Sequence, residues 1–150
     1  MTEPSKLSAT EARTLIGHKK LSSTELVKSC LEQMKKFNND LNAIVCIDED
    51  DVLFQAKTAD DKTLKGEELG LIHGLPVGIK DLQMVKNLKS TYGSLLYKDN
   101  VPTSDDTIVQ NIRNEGGIIF GKTNTPEFGA GANTKNKVYG ATGNPFNYTY

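Results

Sequence analysis

Apolar residues recur every three or four positions in two opening segments, and this spacing predicts two amphipathic helices over about residues 8–38. Each begins with a serine followed three residues later by a glutamate, Ser8 with Glu11 and Ser22 with Glu25, which is the spacing of a capping box. The second helix carries one apolar stripe, which we expect to face the core: Leu26, Val27, Cys30, Leu31, Met34 and Phe37.

A short strand and an acidic helix start are predicted next. The apolar run NAIVCI favours a strand, and DEDDVLFQAKTADD favours a helix whose acidic first turn suits the positive end of the helix dipole. We interpret the acidic residues 48–51 as this helix start. A calcium loop would need alternating ligands around a central glycine, and that pattern is absent from the sequence.

A strand, a helix and a second strand follow, which predicts a right-handed parallel crossover. LPVGIKD is typical of a buried strand. PTSDDTIVQNIRNEGG predicts a helix with Ser104 as its N-cap, Asp105 and Asp106 in its first turn, and Gly116 where it stops. The mostly β-branched and aromatic residues 117–120 predict the second buried strand.

The letters GGIIFGKT match the phosphate-binding pattern GxxxxGKT, but the predicted elements around them are in the wrong order. A phosphate loop needs a strand, a flexible glycine loop and then a helix that begins at the Lys-Thr pair. Here a helix comes first, the loop positions favour a strand, and Pro126 delays any helix after Thr123. We therefore do not interpret Lys122 as a nucleotide-binding residue.

Both predicted parallel strands carry a lysine at the carboxyl end, Lys80 and Lys122. Open α/β sheets gather ligands and catalytic groups along this edge. A lysine in a partly dry pocket loses the hydration that stabilises its charge and can act as a general base, and Lys80 follows an apolar strand. The alternative is that Lys80 pairs with an acid such as Asp81 or Glu127, or reaches solvent.

Composition and charge narrow the range of functions expected for this sequence. The 150 residues are 37% hydrophobic and 25% charged, which suits one globular domain, and the net charge of −1 gives no basic field for nucleic acid or anionic membranes. No apolar run nears a membrane span and the first residues lack a signal core, so we expect a cytoplasmic protein. Cys30 and Cys46 are expected to be buried reduced thiols, and neither histidine lies in a nucleophile elbow.

Four spaced blocks resemble the amidase signature family of Ser-cisSer-Lys hydrolases: GLPVGIKD, STYGS, DDTIVQNIRNEGGIIFGKTNTPEFG and GATGNPFN. The likeness is specific from Gly74 to Asn147 and weak in the opening helices. It implies an α/β fold with a mixed, largely parallel sheet flanked by helices. Residues 1–150 would be the amino-terminal portion of a single amidase domain, with helices at about 8–38, the start of the core at about 42–150 and no separate second domain.

The resemblance also implies a mechanism. Lys80 would act as the base through a bridging serine on a nucleophilic serine, which attacks a carboxamide carbon and forms an acyl-enzyme. Backbone amides would stabilise the oxyanion, and no metal or organic cofactor is expected. The block GKTNTPEFG would border the acyl pocket, with four candidates for substrate binding: Thr123, Asn124, Phe128 and Gly129.

The sequence departs from the family pattern at its end. NPFNYTY stops before the family's serine-rich tract, so the bridging serine and the nucleophile are both missing, and Ser90, Ser94 and Ser104 lie outside that context. We therefore expect an incomplete, inactive fragment that is marginally stable or aggregates when isolated. Asp106 and Gly143 also depart from the family pattern and bear on the subfamily alone.

Three hypotheses remain open. The leading one is the amino-terminal portion of an amidase that acts on a small-molecule amide, with a homodimer as one assembly that it could form. The second is the A subunit of a tRNA-dependent amidotransferase, which takes ammonia from glutamine and works with partner subunits. The third is a non-catalytic remnant that binds a ligand or a partner through the strand-end pocket.

Overall fold

The computed structural model describes residues 3–147. Within this range there are four α-helices: α1 (Ala9–Gly17), α2 (Ser23–Leu41), α3 (Glu49–Lys65) and α4 (Thr107–Asn114). The same range contains five strands: β1 (Ile44–Cys46), β2 (Pro76–Lys80), β3 (Ile118–Thr123), β4 (Lys135–Asn136) and β5 (Gly140–Ala141). Short 3₁₀ turns lie at Pro4–Lys6, Leu95–Tyr97 and Glu127–Gly129.

The two opening helices begin with the predicted capping boxes. The Ser8 hydroxyl accepts a hydrogen bond from the Glu11 N–H, and the Glu11 carboxylate accepts one from the Ser8 N–H. Ser22 and Glu25 repeat this reciprocal pair at the start of α2. Each box satisfies backbone donors that the first helical turn leaves free, which is why the sequence located both helix starts correctly.

The acidic residues 48–51 form the N-cap and the first turn of α3, as predicted. The Asp48 side chain accepts a hydrogen bond from the Asp51 N–H at 3.0 Å. The helix ends at Gly66, whose left-handed φ of 71° closes its last turn. The described residues hold no group of three or more His, Cys, Asp or Glu side chains placed to bind a metal.

The main sheet has the strand order β1-β3-β2, with β2 and β3 parallel and β1 antiparallel to β3. The sheet is therefore mixed, and the predicted parallel crossover through α4 is confirmed. One apolar cluster fills the space between α2, α3 and β3, and it includes Val27, Val52 and Phe120. A second cluster, made by Ile79, Val85, Val109 and Ile119, packs α4 against the sheet.

The prediction that Ser104 caps α4 is wrong. The helix begins at Thr107, and Asp106 is its N-cap without a side-chain capping bond. The two acids of this segment hold the preceding loop instead: the Asp106 carboxylate accepts from the Met84 N–H at 2.8 Å, and Asp105 accepts from the Lys86 N–H at 2.7 Å. These long-range bonds place the chain outside the helical path until residue 107.

The predicted stop of α4 at Gly116 is confirmed by its φ of 78° just after the C-cap residue Glu115. The glycine-rich segment that follows β3 is more ordered than its composition suggested, because β4 and β5 pair there as a short antiparallel hairpin. Tyr148–Tyr150 lie outside the described residues.

Two further observations concern the cysteines and the hydrophobicity of the helices. Cys30 and Cys46 are free thiols, as expected, but both are half-buried instead of fully buried. Burial raises the pKa of Cys30. None of the helices within residues 3–147 combines the length and the hydrophobicity that a membrane span requires.

Candidate active site

An irregular register between β2 and β3 decides where the two lysines point. Pairing runs from Val77 opposite Ile119 directly to Gly78 opposite Gly121, so Phe120 is an extra residue on β3. An extra residue in one strand moves every later side chain of that strand to the other face relative to its neighbour. This bulge therefore sets the environment of all residues at the carboxyl end of β3.

Beyond the bulge, Ile79 lies opposite Lys122, and Lys80 lies opposite Thr123. Adjacent residues of a strand face opposite sides of the sheet. Lys122 thus shares the buried face of Ile79, whereas Lys80 emerges on the other face and is exposed. The two lysines that the sequence placed at one sheet edge lie in opposite environments.

Lys122 is fully buried, and its ammonium is surrounded by oxygen atoms. Its Nζ lies 3.0 Å from the Asp81 carboxylate, 2.6 Å from the Gln83 carbonyl oxygen and 2.7 Å from the Ser90 hydroxyl oxygen. Three acceptors match the three N–H donors of a charged lysine. Burial lowers the pKa of Lys122, and the charge of Asp81 opposes that shift.

The Asp81 carboxylate is also fully buried, and it connects β2 to the following loop. Besides Lys122 it accepts hydrogen bonds from the Thr91 N–H at 3.0 Å and the Thr91 hydroxyl at 2.6 Å. Its own N–H donates to the Thr123 carbonyl oxygen at 2.9 Å. Sequence reasoning did not find this network, although the acid directly after the strand-end lysine was an available signal.

The close contact between Lys122 and Ser90 has the composition of a serine–lysine dyad but not its accessibility. A catalytic serine must reach the substrate, and its lysine must be able to accept a proton. Ser90 is only 1% exposed, and all three ammonium donors of Lys122 are engaged. This pair is therefore a structural contact.

Lys80 has the accessibility that Lys122 lacks. Within residues 3–147 its side chain forms no hydrogen bond or ion pair, and it is exposed to solvent. The pairing with Asp81 that we considered does not occur, because that carboxylate binds Lys122 and Thr91. The dry environment expected around Lys80 surrounds Lys122 instead among the described residues.

Asn124 joins the end of β3 to the β4–β5 hairpin. Its carbonyl oxygen accepts from the Asn136 amide at 2.7 Å and from the Thr125 N–H at 2.9 Å. Its amide nitrogen donates to the Thr142 hydroxyl at 3.0 Å and the Gly140 carbonyl at 3.4 Å. These bonds use its two donors and two acceptor positions, so its predicted contact with substrate stays a prediction that this geometry does not favour.

Phe128 presents an exposed aromatic face five residues after the end of β3. Its ring is 53% exposed, and its centroid lies 6.5 Å from that of Tyr92 and 6.2 Å from that of Tyr97. The next residue, Gly129, has a φ of 73°, and a side chain there would meet the Leu82 methyl group at 2.8 Å. Of the four substrate-binding candidates, Phe128 alone offers a large apolar surface to a ligand.

Comparison with known proteins identifies the family. A sequence profile of the Amidase family matches residues 25–150.

The chain belongs to the amidase family.

Two curated relatives of this amidase chain are similar to it at the same level. It is 38% identical over 138 residues to the A subunit of the glutamyl-tRNA(Gln) amidotransferase of Clostridium botulinum (strain Eklund 17B / Type B), which covers 92% of the chain and 28% of that protein. It is also 38% identical over 140 residues to the acylamidase of Rhodococcus erythropolis, which covers 93% of the chain and 29% of that protein. The chain thus spans less than a third of the length of either relative.

A solved structure supports the same fold. A bacterial aryl acylamidase of the amidase signature family superposes with a TM-score of 0.87 at 29% identity, over 95% of this chain and 30% of that protein. The resemblance to the amidase signature family drawn from the sequence blocks is therefore confirmed, together with the α/β fold that it implied.

Proposed function

We propose that the protein is an amide hydrolase whose general base is Lys80. The observation that carries the proposal is the difference in environment between the two strand-end lysines. Lys122 is buried and fully paired, whereas Lys80 is exposed on the opposite face with its ammonium unpaired among the described residues. An unpaired lysine at the carboxyl end of a parallel strand is placed where α/β enzymes carry out chemistry.

In the proposed reaction, the neutral amine of Lys80 accepts a proton from a bridging serine as that serine takes the proton of a nucleophilic serine. The nucleophile attacks the carboxamide carbon, and the resulting oxyanion is held by backbone N–H donors. Collapse of the tetrahedral intermediate expels ammonia or an amine, which leaves with the transferred proton. Water then hydrolyses the acyl-enzyme and restores the serine.

Neither serine is assigned to a residue of this chain. We propose that both belong to a segment that follows Tyr150, and that residues 1–150 are the amino-terminal portion of a single amidase domain. That segment would cover the exposed face of Lys80 and remove the water around its ammonium, which is the change that makes a lysine an effective base. No metal or organic cofactor enters the proposed reaction.

We propose that the substrate is a small-molecule amide whose acyl group lies between Lys80 and the exposed ring of Phe128. Thr123 supports this position because it is the register partner of Lys80, and Gly129 lets the chain approach Leu82 closely. A cytoplasmic location and the absence of direct nucleic-acid and membrane contacts stay predictions from the sequence, as does assembly as a homodimer.

A direct test is to express the complete gene and to assay a panel of aryl, fatty-acyl, peptidyl and small aliphatic amides for release of ammonia or amine. We expect turnover of at least one class, together with a serine-bound acyl group that mass spectrometry detects after rapid quenching. A folded protein that hydrolyses none of these amides and forms no acyl-enzyme would contradict the proposal. That result would favour a non-catalytic binding protein.

The alternative within the family is the A subunit of a glutamine-dependent aminoacyl-tRNA amidotransferase. The 38% identity to the Clostridium botulinum amidotransferase chain favours it as much as the equal identity to the acylamidase favours simple hydrolysis. The two functions differ in their need for partners. We expect the purified protein alone to hydrolyse small amides, whereas glutamine-dependent amide transfer that requires co-purified subunits would assign it to the alternative.

A further inference from the structure

The turn that follows Lys80 is held at two points by a single buried charge. The Gln83 N–H donates to the Lys80 carbonyl oxygen at 3.0 Å and closes the turn of residues 80–83. The Lys122 ammonium binds the Asp81 carboxylate at 3.0 Å and the Gln83 carbonyl oxygen at 2.6 Å. It thereby contacts the residue just after Lys80 and the residue that closes the turn.

This cluster also reaches two other parts of the fold. Asp81 donates its N–H to the Thr123 carbonyl oxygen on β3 and binds Thr91 in the following loop. The Ser90 hydroxyl contributes the third oxygen around Lys122. Every charge in the cluster is inaccessible to solvent, since the side chains of Lys122 and Asp81 are both 0% exposed. The cluster is therefore out of reach of any substrate.

We propose that the Lys122–Asp81 ion pair is a positioning device that fixes the backbone at Lys80 and so aims the catalytic amine. The inference rests on the proposed role of Lys80 as the base. Lys122 and Asp81 act only through Lys80.

Two physical considerations support positioning over stability alone. A buried ion pair often adds little net stability compared with apolar residues of the same volume, because both charges lose their hydration. Such a pair does, however, accept only a narrow geometry, since each donor must meet an acceptor. Catalysis is sensitive to that geometry: a misplacement of about 1 Å can lower the rate by about 100-fold.

The test is the double variant Lys122→Met/Asp81→Asn in the product of the complete gene. This variant removes both charges, nearly keeps the side-chain volumes, and leaves an amide carbonyl oxygen at position 81 for Thr91. We expect kcat for the best amide substrate to fall by about 100-fold, with KM changed by less than about threefold, since the substrate-facing surface is intact. Kinetics are measured at a temperature where circular dichroism shows the variant fully folded.

Leu31→Ala serves as the control for a loss of stability without a change next to Lys80. Leu31 is buried in the α2–α3 cluster, and its truncation is expected to leave a cavity and lower the melting temperature. We expect this variant to keep kcat within about threefold while it is folded. If the double variant keeps kcat to the same extent as Leu31→Ala, or if its loss lies mainly in KM, the positioning role is overturned.

A parallel Lys80→Ala variant separates this inference from the proposed function. Loss of activity in Lys80→Ala with a near-normal kcat in the double variant would overturn positioning and leave the role of Lys80 intact. Retained activity in Lys80→Ala would overturn both. Should the double variant fail to fold, Ser90→Ala answers the question, because it keeps both charges and removes one of the three oxygen atoms that hold the Lys122 ammonium. We expect it to lower kcat by about tenfold without a change in KM, and a kcat within about threefold of the original would overturn positioning.

Discussion

The buried Lys122–Asp81 pair gives the sharpest prediction about stability. Each side chain is 0% exposed and the two charged groups are 3.0 Å apart, so removal of one partner leaves an uncompensated buried charge. We expect Lys122→Met and Asp81→Asn each to lower the free energy of unfolding by about 3–5 kcal/mol. In the double variant no charge is left unpaired, and the main cost is the Gln83 carbonyl oxygen without its donor, about 1–3 kcal/mol.

The two single losses therefore sum to at least about 6 kcal/mol, against about 3 kcal/mol at most for the double variant, which gives a coupling energy of about 3 kcal/mol or more. Urea unfolding of the unchanged protein, the two single variants and the double variant, each made as the product of the complete gene and followed by far-UV circular dichroism, measures this coupling. The control is the exposed pair Lys35–Glu49, whose coupling is expected to stay below about 1 kcal/mol. Additive losses at Lys122 and Asp81 would show that the two charges do not stabilise each other.

Two further predictions concern Asn124, which directly follows β3, and His73, which lies three residues before β2. Asn124→Ala removes four hydrogen bonds and is expected to lower the unfolding free energy by about 2–4 kcal/mol. The control is Asn133→Ala at an exposed position, which should change that free energy by less than about 0.5 kcal/mol. Chemical denaturation of both variants measures the two changes. Burial lowers the pKa of His73 below its ordinary value of 6.5, so the unfolded chain binds a proton more readily than the folded chain does. The free energy of unfolding should therefore fall as the pH drops below 6.5, by at most about 1.4 kcal/mol per pH unit. Melting curves from pH 8 to 5 should show a weaker pH dependence for His73→Gln than for the unchanged protein, and equal slopes in the two proteins would contradict the assignment.

Local patterns located most of the elements correctly because the interactions that define them are local. The capping boxes at Ser8 and Ser22, the acidic cap before α3 and the glycine stop after α4 each involve residues within four positions of one another. The apolar runs also located both parallel strands, but β2 is less buried than predicted: Ile79 is the only buried residue of its five, whereas five of the six residues of β3 are buried. Such features can be read from a sequence without knowledge of the tertiary fold.

The parts that sequence reasoning missed depend on contacts between distant segments. The bulge at Phe120 is set by pairing between β2 and β3, and it alone places Lys122 on the buried face. The start of α4 is delayed by bonds from Asp106 to the backbone 22 residues earlier. The same is true of the candidate site. The sequence motif identified Lys80, but the burial and the partners of each lysine depend on contacts that only the folded chain shows.

Whether Lys80, and not Lys122, is the catalytic base as proposed is tested most directly by the turnover of Lys80→Ala in the product of the complete gene. Lys86→Ala, an exposed lysine six residues further on, is the matched control. With the best amide substrate we expect Lys80→Ala to lose at least about 1,000-fold in kcat while its melting temperature is unchanged, and Lys86→Ala to stay within about twofold. A Lys80→Ala protein that keeps more than about a tenth of the original kcat would contradict the account.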